Sequence, residues 1–119
     1  YLQYAHARIS AIFRKGGIAP ETDLAGASPT LSHMAEVALA KRLARFPDAV
    51  HLAADTSQPH LVCEHLYALA REFSVFYEEC PVLKAEGAVR DSRLALSWLC
   101  ARQLRRGLGL CGIHAPELM

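Results

Sequence analysis

The sequence predicts an all-α fold, a helical bundle of four to five helices in one domain that spans residues 1–119. Apolar residues recur at helical spacing in successive segments, and no segment alternates between apolar and polar residues for long enough to predict a strand. Apolar residues make up 52% of the 119 residues and charged residues 21%, which is typical of a globular chain with a single core. No apolar run approaches the roughly 20 residues that a membrane span needs.

The first predicted helix covers residues 1–15 and ends at Gly16-Gly17. On a helical wheel its core-facing side consists of Leu2, Ala5, Ile9, Ile12 and Phe13. A second stripe lies roughly a third of a turn away and consists of Tyr1, Tyr4, Arg8 and Lys15.

This second stripe combines two phenols with two cations. A packed core accommodates it poorly because each polar end must be satisfied. A nucleic-acid surface accommodates it well, because bases stack on aromatic rings and phosphates pair with Arg or Lys. The alternative is that Tyr1 and Tyr4 are half-buried with their hydroxyls at the rim and that the cations are merely solvated.

The middle of the chain predicts two helices after a loop rich in Gly, Pro, Ser and Thr. One helix covers residues 32–46 and a shorter one covers residues 48–55, with Pro47 between them. The core-facing candidates of the longer helix are Met34, Val37, Ala38, Leu43 and Ala44.

Two longer helices complete the predicted bundle. One begins near Pro59, ends before Pro81 and carries a buried stripe of Val62, Leu66, Leu69, Phe73 and Phe76. The last covers residues 90–107 and is apolar around most of its circumference, as expected for a helix packed between others. The glycines that follow predict a tail that leaves the helix and wraps irregularly.

Charge is distributed unevenly although the net charge is only +1. Residues 1–15 carry +3, residues 16–89 carry −5 and residues 90–119 carry +3. Two basic ends around an acidic centre are consistent with a basic face built from the first and last helices.

No constellation of residues predicts catalysis or a metal centre. The six histidines show no HExxH spacing, and the serines within helices lack a strained nucleophile turn. The four cysteines form no CxxC pattern and lie among apolar residues, which favours reduced thiols in a cytosolic protein. A metal site of Cys63 with His60 or His65 is the weaker alternative. His6, at the edge of the apolar face, is expected to be a hydrogen-bonded structural residue.

Four strings of sequence resemble one family. They are QYAHAR at 3–8, PHLVCEHLYALAREFSVFYEECPVL at 59–83, DSRLAL at 91–96 and LGLCGIHAPELM at 108–119. In order and spacing they closely resemble the C-terminal, helical DALR anticodon-binding domain of arginyl-tRNA synthetases.

The resemblance implies a class I parent enzyme that attaches arginine to its tRNA with ATP and Mg²⁺. Neither a HIGH-type nor a KMSKS-type catalytic motif occurs in these residues. We therefore expect this stretch to bind tRNA(Arg), to need no cofactor and to catalyse nothing. Since it opens on Tyr1 rather than Met, we expect it to be the tail of a longer, cytoplasmic, monomeric protein that includes a catalytic domain.

The resemblance also implies which residues meet the anticodon loop. The residues carried over by position are Tyr1, Tyr4, Arg8, Tyr77 and the terminal Met119. Contacts to the RNA backbone are expected from Arg14, Lys15 and Arg93. One departure from the family pattern is Leu118, which stands where a basic residue often precedes the final Met, so a phosphate contact there is in doubt.

Two alternatives remain at this point. The tail of the glycyl-tRNA synthetase β subunit resembles the same domain type, although QYAHAR and the terminal PELM fit the arginyl family better. A helical protein–protein module would use the Tyr/Arg stripe as a partner-binding hot spot. The salt dependence of binding distinguishes an RNA-binding domain from a protein–protein module. Affinity for RNA falls steeply as salt rises, whereas affinity across an apolar protein interface changes little.

Overall fold

The computed structural model describes residues 1–24 and 26–116, which form helices and, within those ranges, no strand. The elements are α1 (Leu2–Gly16), α2 (Pro20–Asp23), α3 (Met34–Ala44), α4 (Phe46–Thr56), α5 (His60–Glu79) and α6 (Gly87–Leu110). Five of them are long, and α2 is a single turn inside the predicted loop. The predicted all-α bundle is confirmed.

Helix α1 ends where the glycine pair predicts. Gly17 adopts a left-handed conformation with φ of 63°, which favours glycine. Its N–H bonds back to the carbonyl of Arg14, and the N–H of Ile18 bonds to the carbonyl of Phe13. The predicted core face of α1 is buried at Leu2, Ile9, Ile12 and Phe13, whereas Ala5 is partly buried.

Helix α3 buries a different face from the predicted one. Its buried residues are Ala35, Glu36 and Leu39, while Met34 is 86% exposed. Met34 and Leu39 are five positions apart, about 140° on a helix, so they cannot both face the core. The fully buried Leu39 occupies it, and Met34 points away.

The core is organised around α5 and α6. The predicted α5 stripe is confirmed, since all five of its members are buried. Helix α6 packs against α1, α3 and α5, as expected for a central helix.

Helix α6 is longer than predicted because two of its glycines continue the helix. At Gly107 an added Cβ would lie 2.7 Å from the side chain of Leu66, which is itself completely buried. Glycine there permits close approach of α6 to α5 and does not end the helix. The chain turns only at Gly112, whose φ is 75°.

Candidate nucleic-acid interface

Helices α1 and α5 lie side by side and present a surface that we call the tyrosine surface. It consists of Tyr1, Tyr4, Arg8, Tyr67 and Tyr77. The tyrosines are exposed by 62%, 56%, 44% and 37%, in that order. The rings of Tyr1 and Tyr67 stack with centroids 5.6 Å apart and an interplanar angle of 4°. Tyr1 and Tyr4 thus expose more than half of their surface, which favours the stripe as a binding surface over the half-buried alternative.

The other end of this surface is built on Tyr77. The Arg8 guanidinium carbon lies 5.8 Å from the centre of the Tyr77 ring, within cation–π range. On its buried side, the ring of Tyr77 stacks on that of Phe73 at 5.9 Å and 16°. Because Tyr1 meets Tyr67 and Arg8 meets Tyr77, α1 and α5 run in the same direction along this surface.

Tyr4 lies between these two ring contacts on the α1 stripe. Within the described part of the chain, its hydroxyl makes no hydrogen bond and its ring stacks on no other ring. An exposed aromatic ring without a partner contributes little to the fold and offers a flat face to a ligand. Tyr4 is therefore the member of the tyrosine surface most available for stacking.

The chain's last described residues return to the amino-terminal half of α1 at Gln3 and His6, on the flank of the helix that faces α6 and about 160° from Tyr4 at His6. The Gln3 side-chain amide donates a hydrogen bond from Nε2 to the carbonyl oxygen of His114 at 2.8 Å. His6 Nδ1 lies 2.8 Å from the carbonyl oxygen of Pro116, and Ala115 between them is buried. His6 is thus a hydrogen-bonded structural residue, as expected. Met119 lies outside the described residues.

Lys15 and Arg14 occupy different sides of α1. Lys15 is exposed two turns beyond Arg8 on the tyrosine stripe. Arg14 lines a groove of about 280 Å³ between α1 and α6, together with Arg102 and Arg105. Of the two, only Lys15 extends the tyrosine surface.

Comparison with known proteins identifies the family to which this arrangement belongs. The family model described as the DALR anticodon binding domain matches residues 2–119. The chain belongs to the DALR anticodon-binding domain family. The resemblance of the four sequence strings to the DALR anticodon-binding domain is therefore confirmed.

Several relatives of this DALR domain are arginine–tRNA ligases. Arginine–tRNA ligases from Frankia casuarinae and Cutibacterium acnes are 52% and 48% identical over the whole chain. The solved structure of Thermus thermophilus arginyl-tRNA synthetase superposes with a TM-score of 0.87 at 37% identity, again over the whole chain. The chain spans about a fifth of the length of these proteins, at 20%, 23% and 21% respectively.

Arg93 is placed apart from the tyrosine surface of the DALR domain. Its Nε donates to Oε2 of the buried Glu36 at 3.2 Å, and its Nη1 donates to the carbonyl oxygen of Pro81 at 2.8 Å. The guanidinium therefore joins α6, α3 and the turn after α5. These contacts give Arg93 a structural role, and its expected contact to the RNA backbone stays a prediction.

Two residues of α5 that belong to or adjoin the tyrosine surface were not predicted from the sequence. Tyr67 completes the ring pair with Tyr1, and Arg71 is exposed one helical turn after Tyr67. Both lie on the solvent side of α5, away from its buried stripe. A helical wheel of α5 would have revealed a Tyr/Arg pair like the one on α1, but it could not have shown that the two helices meet there.

The histidines and cysteines of the DALR domain do not assemble a metal centre among residues 1–24 and 26–116. No three His, Cys, Asp or Glu side chains in this part of the chain converge to hold a metal ion. His65 instead pairs through Nε2 with Oε1 of Gln103 at 2.8 Å, and burial lowers the pKa of its imidazole. Across the same ranges, every helix is too short or too polar to cross a lipid bilayer.

Proposed function

We propose that this chain is the anticodon-binding domain of an arginine–tRNA ligase and that its tyrosine surface binds the unpaired anticodon loop of tRNA(Arg). The observation that carries the proposal is the exposure of Tyr1, Tyr4 and Tyr77 on one surface, with Arg8 among them. Protein modules that recognise single-stranded RNA stack its bases on aromatic rings. This stretch of the DALR domain offers several rings and cations within two adjacent helices.

The energetics favour stacking as the main source of local affinity. Each base stacked on an aromatic ring contributes about 1–3 kcal/mol, so two or three such contacts outweigh individual phosphate contacts. Tyr77 is already held against Phe73, and Tyr1 against Tyr67, so little side-chain ordering remains on binding. Tyr4 supplies the open ring face.

The cations around the rings fit the phosphates of the loop. Arg8 can stack on a base or pair with a phosphate. The exposed Lys15 extends the surface at the carboxyl-terminal end of α1, and the exposed Arg71 extends it along α5. These contacts add salt-dependent affinity with little base specificity.

The C-terminal tail brings a further apolar contact to the loop. Pro116 is hydrogen-bonded to His6 on α1, and Met119 follows three residues later. Three residues of fully extended backbone span at most about 10 Å, which limits how far the Met119 backbone can lie from Pro116. We propose that Met119 contacts an unstacked base of the anticodon loop.

The remaining activity of the whole protein belongs outside this chain. We assign attachment of arginine to tRNA, with ATP and Mg²⁺, to a catalytic domain in the larger part of the protein, acting in the cytoplasm as a monomer. In this proposal the DALR domain supplies recognition of the tRNA.

The salt dependence of binding tests this proposal against a protein–protein module. We expect the dissociation constant of a tRNA(Arg) transcript, measured by fluorescence anisotropy, to rise with salt. Three phosphate contacts correspond to a log–log slope of about 2 to 3. Binding that is insensitive to salt, or absent at low salt, would contradict RNA recognition and favour a protein partner. A tRNA(Gly) transcript is the matched competitor, and preference for it would favour the glycyl alternative.

A further inference from the structure

The chain holds two of its cysteine thiols in direct contact. Cys63 lies in α5 and Cys111 directly follows α6, and their Sγ atoms are 3.3 Å apart. Both residues are free and only partly buried. Cys80 and Cys100, by contrast, are completely buried. The four cysteines therefore divide into one partly buried pair and two enclosed single thiols.

Rigid elements hold both members of this pair. Cys63 lies within the first two turns of the long helix α5. The N–H of Cys111 bonds to the carbonyls of Gly107 and Leu108, which fixes its position at the end of α6. Since α5 and α6 pack directly against each other, the contact does not depend on a mobile loop. Desolvation by burial, with the Cys63 thiol adding to it, raises the pKa of Cys111 to about 11.

We propose that Cys63 and Cys111 form an oxidation site, at which a disulfide-type oxidant converts the two thiols into an intramolecular disulfide. One cysteine sulfur, after losing its proton, attacks the oxidant's disulfide bond and releases one thiol, which leaves a mixed disulfide. The neighbouring cysteine then displaces the second thiol. The protein loses two protons and two electrons, and the oxidant takes them up and is reduced to two thiols.

The bridge would fasten the start of the C-terminal tail to α5. Cys111 is the point from which the tail runs to its hydrogen bonds with Gln3 and His6 on α1. The bond would close a long loop and reduce the conformational freedom of the unfolded chain. Because the thiols already touch in the folded chain, we expect oxidation to preserve the fold and raise its melting temperature by at least about 5 °C.

Peptide mapping identifies the bridge directly, because trypsin places the four cysteines on four different peptides. These are residues 46–71, 72–84, 94–102 and 107–119, which contain Cys63, Cys80, Cys100 and Cys111. The folded chain is equilibrated with oxidised and reduced glutathione, alkylated, digested and analysed by mass spectrometry. We expect peptide 46–71 to be linked to peptide 107–119. Recovery of these two peptides unlinked, or linked to other partners, would overturn the proposal.

Two single variants control for the pairing. Cys63→Ser and Cys111→Ser remove either sulfur with little change in volume, and circular dichroism verifies that each variant folds. In the same glutathione buffer we expect neither variant to gain a bridge or a higher melting temperature. A melting temperature of the wild-type chain that falls or stays constant on oxidation would contradict the claim that the fold presents the two thiols ready to be joined.

Discussion

The imidazole of His6 donates a hydrogen bond from Nδ1 to the carbonyl oxygen of Pro116, at 2.8 Å across 110 residues of sequence. The carbonyl can only accept, so Nδ1 must carry the proton. A second donor on α1, the Gln3 amide, bonds the carbonyl of His114. The two bonds join the carboxyl-terminal tail to the amino-terminal half of α1, on the flank of the helix away from Tyr4.

Removing the imidazole should release the tail. We expect His6→Ala to accelerate hydrogen–deuterium exchange in residues 112–116 and to weaken tRNA(Arg) binding by about two- to tenfold, since one hydrogen bond contributes about 0.5–1.5 kcal/mol. Ser10→Ala, one turn along the same helix, is the matched control. Unchanged exchange in the His6 variant would mean that other contacts hold the tail.

The Tyr4 ring should contribute to the affinity for RNA and contribute little to folding stability. We expect Tyr4→Ala to weaken tRNA(Arg) binding by about 1–3 kcal/mol and to leave the melting temperature nearly unchanged, because the ring is 56% exposed. Leu52→Ala, at a 53% exposed position on α4, controls for loss of an exposed apolar side chain. An unfolded Tyr4 variant would show that the ring supports the core.

Phe73 should show the opposite behaviour. Its side chain is buried and packs against Phe76 and beneath Tyr77. We expect Phe73→Ala to lower the free energy of unfolding by about 3–5 kcal/mol through the cavity it leaves. Urea unfolding measures this change, and a loss below about 1 kcal/mol would contradict the assignment of Phe73 to the core.

The buried, hydrogen-bonded carboxylate of Glu36 should make stability depend on acid pH. Burial alone would raise the pKa of the Glu36 carboxyl, but hydrogen bonds from the His33 and Ser32 backbone, then from Arg93, outweigh it and lower the pKa below 4.5. Because the pKa of Glu36 is lower in the folded chain than in the unfolded chain, the carboxylate stabilises the folded state at pH values above the unfolded-state pKa. This contribution is lost as the pH falls through the folded-state pKa. We expect the melting temperature to drop below about pH 4.5, and to drop less in Glu36→Gln. Identical pH profiles for the two proteins would contradict this assignment.

Substitution of Arg93 tests whether its side chain stabilises the fold or contacts RNA. We expect Arg93→Ala to lower the free energy of unfolding by on the order of 3 kcal/mol, because it leaves a buried carboxylate without its partner. At a temperature where the variant is folded, its tRNA affinity should match that of the wild-type chain. A stable variant with weakened RNA binding would restore Arg93 to the interface.

Much of this molecule could be predicted from periodicity alone. The α5 stripe and the core face of α1 follow from apolar spacing, and the end of α1 follows from a glycine that adopts a left-handed conformation at Gly17. The separation of Tyr4 and Arg8 from the core face of α1 follows from the same geometry. These features depend on local sequence, which a helical wheel describes well.

Other features required knowledge of which helices meet. Gly107 suggested a helix end, but its role is close packing against Leu66 in another helix. Met34 was predicted to face the core, but the buried Leu39 orients α3 so that Met34 is exposed. Tyr67 became part of the tyrosine surface only because α1 and α5 are adjacent. Pairing between distant segments is not encoded in the periodicity of either one.

The most direct measurement of the central claim compares two small RNAs. One is the anticodon stem–loop of tRNA(Arg), and the other is the same stem closed by a tight tetraloop that offers no unstacked bases. We predict that the wild-type chain binds the open loop at least about tenfold more tightly, and that Tyr4→Ala but not Leu52→Ala reduces this preference. Equal affinity of the wild-type chain for both RNAs would contradict recognition of an unpaired loop by the tyrosine surface.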